Sequence, residues 1–86
     1  MAKYDGMTRL LKKQPLRPVQ MGFEDVAAVV PGGLPFSAYR YRAWWANQTD
    51  GKHVHAVAWM CCGWRVVAVD LPGRVVTFAP VARVGP

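Results

Sequence analysis

The sequence predicts an α+β domain in which short helices precede a C-terminal β-hairpin. Three observations carry that expectation. Apolar residues recur at helical spacing before residue 62, most cleanly at Phe23, Val26, Ala27 and Val30. Two β-branched runs, Trp64–Val69 and Arg74–Phe78, flank the turn-forming triplet Leu71-Pro72-Gly73. Finally, 86 residues of which 52% are hydrophobic suffice for one core and are too few to divide. Residues 1–86 are therefore read as a single domain, with an ordered core over about 4–80 and a frayed tail at 81–86.

The elements follow in order. Asp5 is expected to cap a first helix whose apolar stripe is Met7, Leu10 and Leu11, with Arg9, Lys12 and Lys13 on its other faces. Lys12 and Lys13 suit the negative end of that helix. Pro15 and Pro18 stop it and enforce an extended link. Val19-Gln20-Met21 alternates as a brief strand, and Gly22 caps a second helix with Glu24 and Asp25 in its first turn. Pro31-Gly32-Gly33 ends that helix.

After Leu34-Pro35, Ser37 is expected to cap a short helix running to about Trp45. The segment Asn47–Gly51 reads as a polar turn. A last helix is expected from about Val54 to Cys62, with Val54, Val57, Ala58 and Cys61 inward and Gly63 as its left-handed terminator. Val76 and Phe78 share one face of the hairpin, Val75 and Thr77 the other.

Charge and cysteine usage narrow the function. Eleven Lys and Arg against five Asp and Glu give a formal charge of +6, an excess that suits a polyanion or an acidic protein. The two cysteines are neighbours, Cys61-Cys62, and a disulfide between neighbours closes almost no loop. Reduced, mostly buried thiols and a polar, basic start (MAKYDGMTRLLKKQP) point to a cytoplasmic protein. No apolar run approaches the ~18 residues of a membrane span, so no membrane partner is expected.

The order helix, strand, helix, short helix, helix, hairpin resembles a small winged helix-turn-helix domain, in which the helix before the hairpin reads a groove and the hairpin forms the wing. The segment between Pro31 and Gly51 departs from it, being longer than the tight turn such motifs place there. A second resemblance rests on Leu34-Pro35, Ser37-Ala38, Tyr41-Arg42-Ala43-Trp44-Trp45-Ala46-Asn47, Ala58-Trp59, Gly63-Trp64, Val66, Val69-Asp70-Leu71, Val76 and Phe78. With Tyr4-Asp5 and Phe23-Glu24 they resemble, over roughly residues 4–78, a small uncharacterised domain family of bacteria and actinobacterial phages. Its pattern is like LPxSAxxYRxWWAN…AWxxxGWxVxxVDL…VxF. Phe78-Ala79-Pro80 departs from the Phe-x-Arg with which members often end. The resemblance implies no activity.

Candidate residues therefore come from chemistry. Arg40 and Arg42 beside Tyr39 and Tyr41 suit phosphate clamping with ring stacking. Asn47 has the amide that reads an adenine edge. Lys52, His53, His55 and Ala56 are expected off the buried stripe of the last helix, where they could enter a groove. Arg65 and Arg74 would then touch backbone from the wing, with Lys12, Lys13 and Arg17 adding phosphate contacts. Trp44, Trp59 and Trp64 are expected in the core, each removing about 150–250 Å² from water.

Other chemistries are weaker. His53, His55, Cys61 and Cys62 lack the paired spacing of a zinc site, and neighbouring cysteines on a helix point apart, so no metal and no cofactor is expected. No carboxylate pair, exposed thiolate or glycine-rich phosphate loop is evident, so the chain is not read as an enzyme. The expectation is a non-catalytic, duplex-DNA-binding regulatory protein. The alternative is a module that docks an acidic protein through Tyr39, Tyr41 and an exposed Trp45. A homodimer is compatible with either.

Overall fold

The computed structural model describes residues 3–48 and 54–81, beginning with helix α1 (Asp5–Lys12). Met7 and Leu11 are buried and Leu10 half-buried, so the expected stripe faces inward. Asp5 lies in the first turn and not at the cap, which is Tyr4, and no side chain caps the helix. Gly6 is required by packing: a methyl group there would meet the Val29 carbonyl.

Strand β1 (Val19–Gly22) leads directly into α2 (Phe23–Ala27). The Asp25 carboxylate accepts the Gly22 N–H at 3.2 Å, the backward half of a capping box. Phe23, Val26 and Val30 are buried as expected, although regular helix stops at Ala27. Gly32 and Gly33 then turn the chain with φ of 78° and 79°.

The expected helix through Trp45 is two pieces: α3 (Phe36–Arg40), capped by Pro35 and not Ser37, and a 3₁₀ turn (Arg42–Trp45). Extended Tyr41 separates them. Helix α4 (Val54–Met60) ends before the cysteines, and Gly63 (φ 83°) reverses the chain as predicted. Trp64 is buried where it enters β2 (Trp64–Asp70), which returns as β3 (Val75–Pro80).

The sheet corrects the two-stranded expectation. All three strands join, antiparallel, in the order β1-β3-β2. Val19 and Met21 lie opposite Phe78 and Val76, so a strand too short to stand alone is held by its ladder and its apolar face. Val66 and Val69 continue that face across β2, where an irregularity between Val66 and Ala68 leaves Val67 outside the pairing. The core lies between this face and the helices, with the Phe78 ring against Trp45 and Trp59. The described residues thus form a small α+β domain of four α-helices and a three-stranded antiparallel sheet.

Candidate nucleic-acid interface

The tryptophan-rich segment builds an aromatic knot and an edge guard. Both tryptophans of the 3₁₀ turn are buried, because the tighter turn lets Trp44 lie on His55 while Trp45 lies on Phe23. The Trp44 and His55 rings are parallel, with centroids 4.0 Å apart, and Trp45 stacks on Phe23 at 5.0 Å. His55 Nε2 lies 2.6 Å from the Trp44 carbonyl. Since a carbonyl only accepts, Nε2 carries the proton. Trp45 Nε1 donates to the Ala38 carbonyl at 2.8 Å, so its buried N–H is satisfied.

Asn47 ties this knot to the sheet. Its Oδ1 accepts Trp59 Nε1 and the Val66 backbone N–H, each at 2.9 Å, and its Nδ2 donates to the Val66 carbonyl at 2.8 Å. Toward β2 the amide behaves as one residue of a neighbouring strand would. Three residues along, Arg42 Nε donates to the Val69 carbonyl at 3.4 Å. Together they occupy outward groups of an edge strand, the position where another chain would otherwise pair.

These contacts revise several expectations. The Asn47 amide is turned into the protein and is not presented to a base edge. His55 (8% exposed) and Ala56 are buried, whereas Val57 and Cys61, expected inside, face out. The reason is area: Trp59 and the flat His55 ring, one turn apart, fill the knot better than valine and cysteine would. Trp45, at 1% exposure, cannot be an exposed anchor. Cys61 is exposed, and the two thiols do not point apart: both reach toward the Ala58 carbonyl.

The predicted cations fall into two groups. On α1 the exposed residues are Arg9 and Lys12, with exposed Lys13 at its C-cap, and exposed Arg17 follows between Pro15 and Pro18. Arg9 was not among the predicted contacts, although it shares a face with Lys13 at i+4 and lines a shallow depression with Gly6, Leu10 and Val29. At the hairpin tip, the Arg74 guanidinium lies 5.4 Å from the Tyr39 ring centre, while Arg74 itself adopts φ 54°. Arg42 reaches the same end through Val69, and Arg40 is exposed at the end of α3. Lys12 instead lies near Cys62, just before the opposite end of β2. Seven residues of strand separate those ends, roughly 20 Å at ~3.3 Å per residue. Arg65 is exposed, level with Ala79 on the outward face of the sheet. The predicted residues Lys52 and His53 lie outside the described residues, as do the turn at 49–51 and the tail at 82–86.

The groups also differ in their counter-charges. Between Arg9 and Arg17 there are four cations and no acid. At the hairpin tip Asp70 accepts the Gly73 N–H, and Asp25 sits against Gly22, which pairs with Val75. The first group has no acid within its own span, and its nearest acid along the chain is Asp5, one turn before Arg9 on the same helix.

A small α+β domain with a sealed aromatic core and exposed cations at two separate ends is what the fold defines. The chain belongs to the family described as "Domain of unknown function (DUF7662)", which matches residues 4–81. No curated protein and no solved structure matches it. Among the described residues, no helix is long and apolar enough to cross a membrane.

Proposed function

We propose that this domain is a small, cytoplasmic, non-catalytic regulatory protein that binds duplex DNA chiefly through its phosphates. The observation that carries the reading is the exposed strip Arg9, Lys12 and Lys13, prolonged by Arg17, with no acid among them. Each phosphate such residues neutralise releases condensed counterions, a driving force that needs no base contact. Arg40, Arg42 and Arg74 at the hairpin tip and Arg65 on the sheet are the remaining contacts in this reading. Helix, strand, three helices and a hairpin, with β1 laid against the returning strand, are compatible with a winged domain that carries α3 and the 3₁₀ turn as an extra segment. The side chains of α4 described as outward are Val57, backed by Cys61 beyond its end, so backbone contact is favoured over groove reading by that helix.

The test is fluorescence anisotropy with random duplex and single-stranded DNA across a salt series. Five phosphate contacts predict a log K against log salt slope of about −4.5 on duplex and a shallower one on single strands. Absence of binding at ~100 μM protein and ~50 mM salt contradicts the reading, since nonspecific electrostatic binding operates in that range.

One observation favours a second reading, docking of an acidic protein. Lys3, Tyr4, Asp5, Thr8, Val57, Ala58 and Cys61 line a mostly apolar depression. A stoichiometric, nuclease-insensitive partner would support it over DNA.

A further inference from the structure

Just past α4, two sulfur atoms converge on one oxygen. Cys61 Sγ lies 3.7 Å from the Ala58 carbonyl and Cys62 Sγ lies 3.9 Å from it, while Cys62 is also 3.5 Å from the Trp59 carbonyl. Thr8 Oγ1, from α1, donates to the same Ala58 oxygen at 2.5 Å and stands 3.9 Å from Cys61 Sγ. Successive residues of a regular helix diverge by ~100°. Here helix has ended and Gly63 has begun to reverse the chain, so both side chains fold back over the last turn. Cys61 is exposed and Cys62 half-buried, which leaves the pair open to a small ion.

From this convergence we infer that Cys61 and Cys62 form a two-thiolate site for one soft, thiophilic monovalent cation of the Cu(I) class. Thiolate sulfur is the ligand such ions select, and two sulfurs suffice where hard or tetrahedral ions need more. Among the described residues, no group of three His, Cys, Asp or Glu side chains could hold a metal ion, which disfavours the four-ligand zinc arrangement. Burial raises the Cys62 thiol above its usual value, the neighbouring Cys61 raises it further, and Lys12 opposes both. Binding releases two protons and forms two metal–sulfur bonds, with no change of oxidation state: 2 RSH + Cu⁺ → [Cu(SR)₂]⁻ + 2 H⁺. The complex carries one negative charge, and Lys12 is the cation near Cys62 to balance it. Thr8 donates to the Ala58 carbonyl, so the turn carrying the sulfurs is fixed to α1.

The experiment is an anaerobic titration of the reduced, full-length protein against Cu(I) held by a coloured competing chelator. The expected result is one Cu(I) withdrawn per chain, with the protein's oligomeric state unchanged on that titration. Cys61→Ser and Cys62→Ser should each abolish competition while leaving the far-ultraviolet circular dichroism unchanged, and a Lys12→Gln variant should weaken it. Wild-type protein that leaves the chelator fully loaded overturns the inference. So does one ion shared between two chains, or either serine variant competing as well as wild type. Wild type with both thiols alkylated provides the same test without a substitution.

Discussion

The aromatic knot and the basic strip on α1 are built on opposite principles. In the knot, polar atoms are turned inward and satisfied: the indole N–H groups of Trp45 and Trp59, the His55 ring and the Asn47 amide all bond within the protein. On α1, Arg9, Lys12 and Lys13 project outward from a helix whose opposite face is buried. The difference teaches that a conspicuous motif can serve architecture while a plain run of cations carries the interaction. Substitutions in the knot should therefore act on folding, and substitutions in the strip on binding.

The largest effect is expected from Trp59→Ala. Its side chain is fully buried, against Trp45, His55 and Phe78, so truncation should cost about 3–5 kcal/mol. That is a large share of the stability of a small domain, and urea denaturation measures it. Asn47→Ala comes next. It strands the part-buried Trp59 Nε1, at about 1–3 kcal/mol, while the exposed N–H of Val66 can turn to water. A shift to lower urea midpoint with the DNA salt slope unchanged would sharpen the contrast. A lost slope with unchanged stability would break it, returning Asn47 to the interface.

Gly6→Ala probes where α1 meets the rest of the fold. The added methyl would meet the Val29 carbonyl, so a loss of about 1–3 kcal/mol is expected, against the usual gain for glycine to alanine in a helix. The smallest effect concerns Tyr4, whose ring edges against Trp44 and His55. Burial holds its phenol above the ordinary tyrosine value of about 10. The unfolded chain then ionises first, so Tyr4 leaves stability untouched below about pH 10 and lowers it as pH rises through the folded value. Tyr4→Phe should flatten that alkaline decline, as read by urea midpoints on either side of pH 10.

Much of the fold was legible because local chemistry and burial agree. Gly63 ends α4, Phe23, Val26 and Val30 face the core, and Val76 and Phe78 share the inner face of β3. The face of α4 was misread because His55 counts as polar in a pattern, yet in the fold it is a flat ring with a bonded N–H, stacked on Trp44. The break at Tyr41 was also hidden, since nothing local distinguishes one helix from an α-turn followed by a 3₁₀ turn. Asn47 could not be placed from sequence, because its role depends on Val66, 19 residues away across the fold. Membership of an uncharacterised domain family was expected and is found over residues 4–81, and the tryptophan segment that suggested it builds the knot. Arg9 was overlooked although its i, i+4 relation to Lys13 was in plain view.

The central claim is that the α1 strip, and not the tryptophan motif, holds the polyanion. The direct measurement is the salt dependence of duplex-DNA affinity for wild type and for an Arg9→Gln/Lys12→Gln/Lys13→Gln variant. Changes at such exposed positions should alter stability by no more than about 0.5 kcal/mol each. If each cation meets a phosphate, the variant's slope should be shallower by about 2.7. A variant that binds with the wild-type slope would contradict the account.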